Sequence, residues 1–145
     1  LNWKLVLAAV FVCGLLLGGV SFAAVNYLVQ IRNVGRIRAI GVQVFADESL
    51  TSVLDEIDWG TLNPGENRSV NVWIKNTGND AQKLIFWTES WEPVDAQNSI
   101  LLTWNYNNEW VDAGSAIPVT FTLTVDSNIS GVESFCFDIW VKGVA

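Results

Sequence analysis

The sequence predicts an all-β domain, a seven-stranded antiparallel β-sandwich, preceded by one N-terminal hydrophobic helix. Three observations carry that expectation. No charged residue occurs from Leu5 to Ile31. Beyond Arg36 the apolar residues switch to a period of two, which places alternate side chains on one face of a strand. Turn-forming clusters then recur about every 8–14 residues with no helical pattern between them, the spacing of short strands in two stacked sheets.

The uncharged run exceeds the roughly 20 apolar residues that cross a bilayer as a helix, so residues 1–31 form a hydrophobic unit. Two readings stay open for it. Lys4, the apolar core and the small residues of Ser21-Phe22-Ala23 fit a signal peptide, with a mature chain from Ala24. The run also continues through Ala24–Ile31, beyond an ordinary signal core. Residues 5–29 then stay in membrane lipid as an anchor, with Tyr27 at the membrane–water boundary. Residues 32–38 follow as a basic juxtamembrane segment, and residues 39–145 as the folded domain. Arg32, Arg36 and Arg38 outnumber Lys4, and on charge count alone they hold the domain in the cytoplasm. Two glycosylation triplets, the small-residue stretch and the lack of any cytosolic enzyme motif argue for export. The arginines are then expected to project from a strand and meet the acidic domain.

Along the domain, Ile40, Val42 and Val44 share one face of a first strand. Ala46–Trp59 is an acidic connection with room for one short strand. Asn63-Pro64-Gly65-Glu66 forms a turn in which Pro fixes φ and Gly takes the positive φ of a type II turn. Val70, Val72 and Ile74 point inward from the next strand, Asn71, Trp73 and Lys75 outward, and Asn76–Asp80 turns the chain. Lys83–Trp91 is a strand that is apolar on both faces around Ile85–Trp87. Glu92–Ser99 is a loop, and Ile100–Val111 reads as a hairpin turning near Asn107-Asn108. Val119, Phe121, Leu123 and Val125 point inward, with Thr120, Thr122 and Thr124 outward on a solvated face. After the turn at Asp126–Gly131, Phe135, Phe137, Ile139 and Val141 line the inner face of the last strand.

Composition excludes several functions. The chain has no histidine, which removes the Ser-His-Asp and Cys-His nucleophile systems and most zinc sites. No phosphate-binding or dinucleotide fingerprint occurs. Residues 39–145 carry four basic against fifteen acidic residues, a field that repels nucleic acid. Cys13 and Cys136 read as buried thiols. We expect no catalysis and no cofactor. Asp47, Glu48, Asp55, Glu56 and Asp58 supply the oxygens that calcium takes, but without the EF-hand spacing, and a solvated connection explains them as well. Asn67-Arg68-Ser69 and Asn128-Ile129-Ser130 match the N-glycosylation triplet beside predicted turns. Among the eight tryptophans, Trp59, Trp104 and Trp87 suit a core. Trp73 and Trp140 have outward parity. If the last strand lies beside Lys83–Trp91, then Trp140, a residue of Phe86-Trp87 and the threonine row share one outer face. That makes Trp73, Trp87 and Trp140 candidates for contact with a partner or a sugar ring. Partial burial under neighbouring side chains is the plainer alternative.

The stretch Trp59-Gly60-Thr61-Leu62-Asn63-Pro64-Gly65, followed by Val70-Asn71-Val72 and Asn76-Thr77-Gly78-Asn79, resembles a segment of immunoglobulin-like or fibronectin III-like modules. Such modules occur in small membrane-anchored surface proteins of archaea and bacteria. Val119–Val125 and Ser130–Gly143 resemble their final two strands. The resemblance spans about Ile37 to Gly143 and implies an exported immunoglobulin-like β-sandwich, with no catalytic residues to carry over. The expected function is non-enzymatic: a single-pass, membrane-anchored surface module with a structural, adhesive or recognition role. Its partners are membrane lipid through residues 5–29 and another surface protein, a glycan or a copy of itself, and no nucleic acid. The alternative is a secreted filament subunit, assembled by N-terminal strand addition or by pilin-like helix packing.

Overall fold

A computed structural model describes residues 32–145. The expected N-terminal helix, the cleavage-like stretch and Cys13 lie outside the described residues. Among the described residues, eight strands occur in chain order: β1 (Val34–Ile40), β2 (Val42–Phe45), β3 (Glu56–Asp58), β4 (Asn67–Asn76), β5 (Lys83–Glu92), β6 (Ile100–Trp104), β7 (Ala116–Val125) and β8 (Cys136–Val144). They form two four-stranded sheets, ordered β3-β1-β8-β5 and β2-β4-β7-β6. The expected count of seven strands, all antiparallel, needs two corrections. There are eight strands, and β1 runs parallel to β8 from Val34↔Cys136 to Ile40↔Lys142. These strands lie at opposite ends of the domain, so the chain between them supplies the long connection that a parallel pair requires.

The extra strand arises at Gly41. Its φ of +70° turns the chain over from one sheet to the other, a conformation that glycine adopts without a Cβ penalty. The single strand expected to carry Ile40, Val42 and Val44 on one face is therefore two. Ile40 is 43% exposed at the end of β1, while Val42 and Val44 are buried in β2. The basic segment set apart as residues 32–38 is largely strand as well, because β1 begins at Val34.

Elsewhere the period-two pattern fixes the facing. Val72 and Ile74 of β4, Val119, Phe121 and Leu123 of β7, and Phe135 with Phe137, Ile139 and Val141 at β8 form one buried cluster between the sheets. Each such side chain contributes about 1.5–3 kcal/mol by leaving water. The Pro64-Gly65 turn has the expected geometry. Gly65 has φ +81°, and Glu66 N–H donates to Asn63 O at 3.0 Å. The Glu66 carboxylate bonds back to the Asn63 N–H at 2.8 Å and to its side-chain amide at 3.0 Å. Those bonds hold the Glu66 carboxyl below its usual range.

The expected hairpin over Ile100–Val111 is not formed. β6 pairs with β7 instead, and Val111 bridges to Gln82. The reason lies in Asn105 and Tyr106. Asn105 N–H donates to Thr120 O at 3.2 Å, and its side-chain oxygen accepts from Thr120 N–H at 2.8 Å. The Tyr106 hydroxyl accepts from Leu84 N–H at 3.1 Å and donates to Glu109 O. Together these bonds draw residues 105–111 across the start of the β5 edge. The loop read at Glu92–Ser99 contains a 3₁₀ turn, Val94–Asn98, with Ala96 buried.

β1 can lie against the core because Gly35 has no side chain. A Cβ there would stand 2.8 Å from Ile139 Cδ1 and 3.1 Å from Trp59 Nε1. Overpacking of that kind costs about 1–3 kcal/mol. We expect Gly35→Ala to lower unfolding free energy by that amount in urea denaturation, and an unchanged midpoint would contradict the close approach.

Candidate functional site

The register of the first sheet arranges its outer face in rows across the strands. Because Phe137, Ile139 and Val141 point into the core, Asp138, Trp140 and Lys142 point out. Opposite them on β1 stand Arg36, Arg38 and Ile40, and on β5 Glu89, Trp87 and Ile85. One row therefore reads Glu56, Arg36, Asp138, Glu89. The next reads Arg38, Trp140, Trp87, and the one beyond it Ile40, Lys142, Ile85.

The first of these rows is an ion-pair network. Asp138 is only 8% exposed, a costly position for a lone carboxylate. Arg36 Nε lies 2.7 Å from its Oδ1, and Arg38 Nε lies 3.9 Å from Oδ2. The hydrogen bond to Asp138 holds the Arg36 guanidinium above its usual range. This is the expected meeting of β1 arginines with the acidic domain.

The next two rows differ in character. Trp87 and Trp140 stack with ring centroids 5.7 Å apart and planes 3° from parallel. Trp87 Nε1–H donates to Glu89 at 2.8 Å, and both rings are half-buried. Ile40 and Ile85 beside them are 43% and 46% exposed. Neither row contains a carboxylate, and both carry a cation, Arg38 or Lys142. On this acidic protein the two rows form an apolar and cationic strip, bordered on one side by Asp138 and Glu89 of the ion-pair row. Aromatic, isoleucine and arginine side chains in this combination suit a protein contact.

The other candidates disperse. Trp73 lies on β4 in the second sheet, in register with Phe45 and Pro118. The threonine row of β7 belongs to that sheet too: Ser69 and Thr122 hydroxyls are 2.8 Å apart, and Thr120 Oγ1 donates to Asn71 at 2.7 Å. The expectation that Thr120–Thr124 share a face with Trp140 is therefore corrected; the two rows belong to different sheets. Trp59 is fully buried and fills the interior as expected, whereas Trp104 is half-buried and packs against the edge of the core, on Phe86 with centroids 4.6 Å apart. Trp87 does not fill the interior, since its partner is Trp140.

Among the described residues, no three or more acidic or cysteine side chains converge as metal ligands. Asp47 instead caps a turn. It accepts from the Thr51 hydroxyl and from Ser52 N–H at 2.8 Å, and these bonds hold its carboxyl below the usual range. Asp58 accepts from Gly60 N–H at 2.9 Å. Glu48, Asp55 and Glu56 are exposed. Asn67 and Asn128 are both exposed, at the end of the sheets where β1 begins. Burial and the neighbouring Glu92 push the Cys136 thiol up, away from the thiolate form that reacts.

Sequence reasoning found Trp87 and Trp140 but not the cations and isoleucines beside them. The parallel β1–β8 pairing that brings Arg38 against Trp140 has no local signature. No family model, curated protein or solved structure matches the chain.

Proposed function

We propose that this chain is a non-enzymatic, single-pass membrane-anchored surface module that recognises another surface protein through the outer face of its first sheet. The observation that carries the reading is the pair of adjoining rows Arg38–Trp140–Trp87 and Ile40–Lys142–Ile85. Exposed isoleucines and the cations Arg38 and Lys142 adjoin a tryptophan stack, on a chain of net charge −7, with the carboxylates Glu89 and Asp138 confined to the row on the other side of the stack. Such a surface favours an acidic partner and gains little by facing water alone. The immunoglobulin-like relationship belongs to the same proposal, supported by two packed sheets and the Trp59–Gly65 segment. The anchor is supported by the uncharged run of residues 5–31; no helix among the described residues is long and apolar enough to cross a membrane.

The edges favour the anchored reading over a strand-added filament. Among the described residues, β5 is the longest edge strand. Tyr106 occupies Leu84 N–H at its start, and a register shift between Glu89 and Glu92 interrupts its end. Such interruptions disfavour the addition of a neighbour's strand along β5. Surface proteolysis and alkaline carbonate extraction test the proposal. We expect protease to remove residues 32–145 from intact cells, and the undigested chain to remain in the membrane pellet after carbonate. Release by carbonate would refute the anchor.

A further inference from the structure

We propose that Asn128 carries an N-linked glycan and that Asn67, with an equally good sequence triplet, is the poorer acceptor. The inference rests on the outward-facing reading above and separates two sites that sequence alone treats alike. Asn128 is exposed in the connection between β7 and β8. Its N–H donates to the Asp126 side chain at 2.7 Å, and Ile129 N–H donates to Asp126 O at 3.2 Å. Asp126 thus fixes the backbone of the turn. Ile129, half-buried against the core, anchors the middle of the triplet. Ser130 on its far side is exposed. Among the described residues, neither the Asn128 side-chain amide nor the Ser130 hydroxyl has a hydrogen-bond partner.

The triplet at Asn67 is built into the sheet. Asn67, Arg68 and Ser69 pair with Thr124, Leu123 and Thr122 of β7. The Ser69 hydroxyl is held 2.8 Å from that of Thr122, and the Arg68 guanidinium donates to the Trp59 carbonyl. A transferase needs the asparagine and the hydroxyl two residues on together in one extended groove, so using Asn67 after folding requires opening this ladder. Asn128 requires only the short turn held by Asp126 to open, and no strand to move.

The reaction joins Asn128 Nδ2 to the anomeric carbon of a saccharide supplied on a lipid diphosphate. The bond from that carbon to the diphosphate oxygen breaks, the lipid diphosphate leaves with the electron pair, and the amide nitrogen gives one proton to the transferase. The attached sugar stands at the end of the sheets where β1 begins. The tryptophan and isoleucine rows lie toward the end where β1 finishes, so the glycan leaves the proposed recognition face uncovered.

The test uses the full chain recovered from membranes of its own cells, with surface exposure scored by protease on intact cells and occupancy by glycopeptide mass spectrometry. We expect most copies to carry a saccharide mass on the Asn128 peptide and few on the Asn67 peptide. Asn128→Gln and Ser130→Ala each remove that mass, and Asn67→Gln retains it. A bare Asn128 in protease-accessible protein overturns the glycan proposal alone, as does equal or greater occupancy at Asn67. Protection of the domain from protease in intact cells overturns the outward-facing reading and the glycan proposal with it.

Discussion

Replacing Asn76 by aspartate is expected to destabilise the domain far more at pH 7.5 than at pH 4. Asn76 is fully buried at the end of β4. Its Nδ2 donates to Asp80 O at 2.8 Å and to Val111 O at 2.9 Å, and its Oδ1 accepts from Gly78 N–H at 2.9 Å. One amide thereby ties the β4–β5 turn to the segment that crosses the β5 edge. In Asn76→Asp the protonated acid keeps the acceptor and one donor, for a loss of about 1 kcal/mol. The ionised acid faces two carbonyl oxygens with no proton to offer. Burial raises such a carboxyl by up to ~3–5 pH units, and each unit corresponds to about 1.4 kcal/mol. The folded-state pKa then lies above the unfolded value of about 3.9. The added penalty is therefore absent below pH ~4, grows as pH rises toward the folded pKa, and levels off above it, near 4 kcal/mol for a rise of about three units. Urea denaturation of both proteins at the two pH values measures it. Equal losses at pH 4 and 7.5 would show that position 76 is hydrated or free to turn outward.

Asn76 also marks where the sequence stops being legible. The stretch Asn76–Asp80 reads correctly as a turn, because glycine and asparagine promote one locally. That the first asparagine points inward and reaches Val111 depends on a segment 35 residues away, which period-two reasoning assigned to a hairpin. The inward residues of β4, β7 and β8 were readable for the opposite reason: alternation is a property of neighbours along the chain. Gly41 shows the boundary between the two cases. Ile40, Val42 and Val44 have the spacing of one strand, and nothing apolar signals that the chain changes sheets between the first and second. Only the glycine, with its access to positive φ, hints at it. The candidate face divides similarly. Parity and an assumed β5–β8 pairing identified Trp87 and Trp140, whereas Arg38 and Ile40 join them through a pairing across roughly a hundred residues, where no local preference acts.

Trp59 should be the most sensitive core position, and the way it fails should expose its geometry. It follows β3 with its N–H bonded to Asn33 O at 2.8 Å, and its indole is fully buried. Trp59→Ala is expected to cost about 3–5 kcal/mol, the range for deleting a large buried aromatic side chain. That is a large share of the roughly 5–15 kcal/mol that holds a domain folded. Trp59→Phe should behave differently. The indole Nε1–H has no hydrogen-bond partner in its buried site, and such an orphan donor costs about 1–3 kcal/mol. Phenylalanine removes that donor while giving up part of the ring volume, so the two effects offset to within about 1 kcal/mol. Gly35 supplies the second half of the test. Its added Cβ would meet both Trp59 Nε1 and Ile139 Cδ1. Gly35→Ala should therefore cost less in the Trp59→Phe background than in the native one, with Ile139 accounting for what remains. Chemical denaturation of the four proteins closes the cycle, and strictly additive losses would mean that the two residues do not touch.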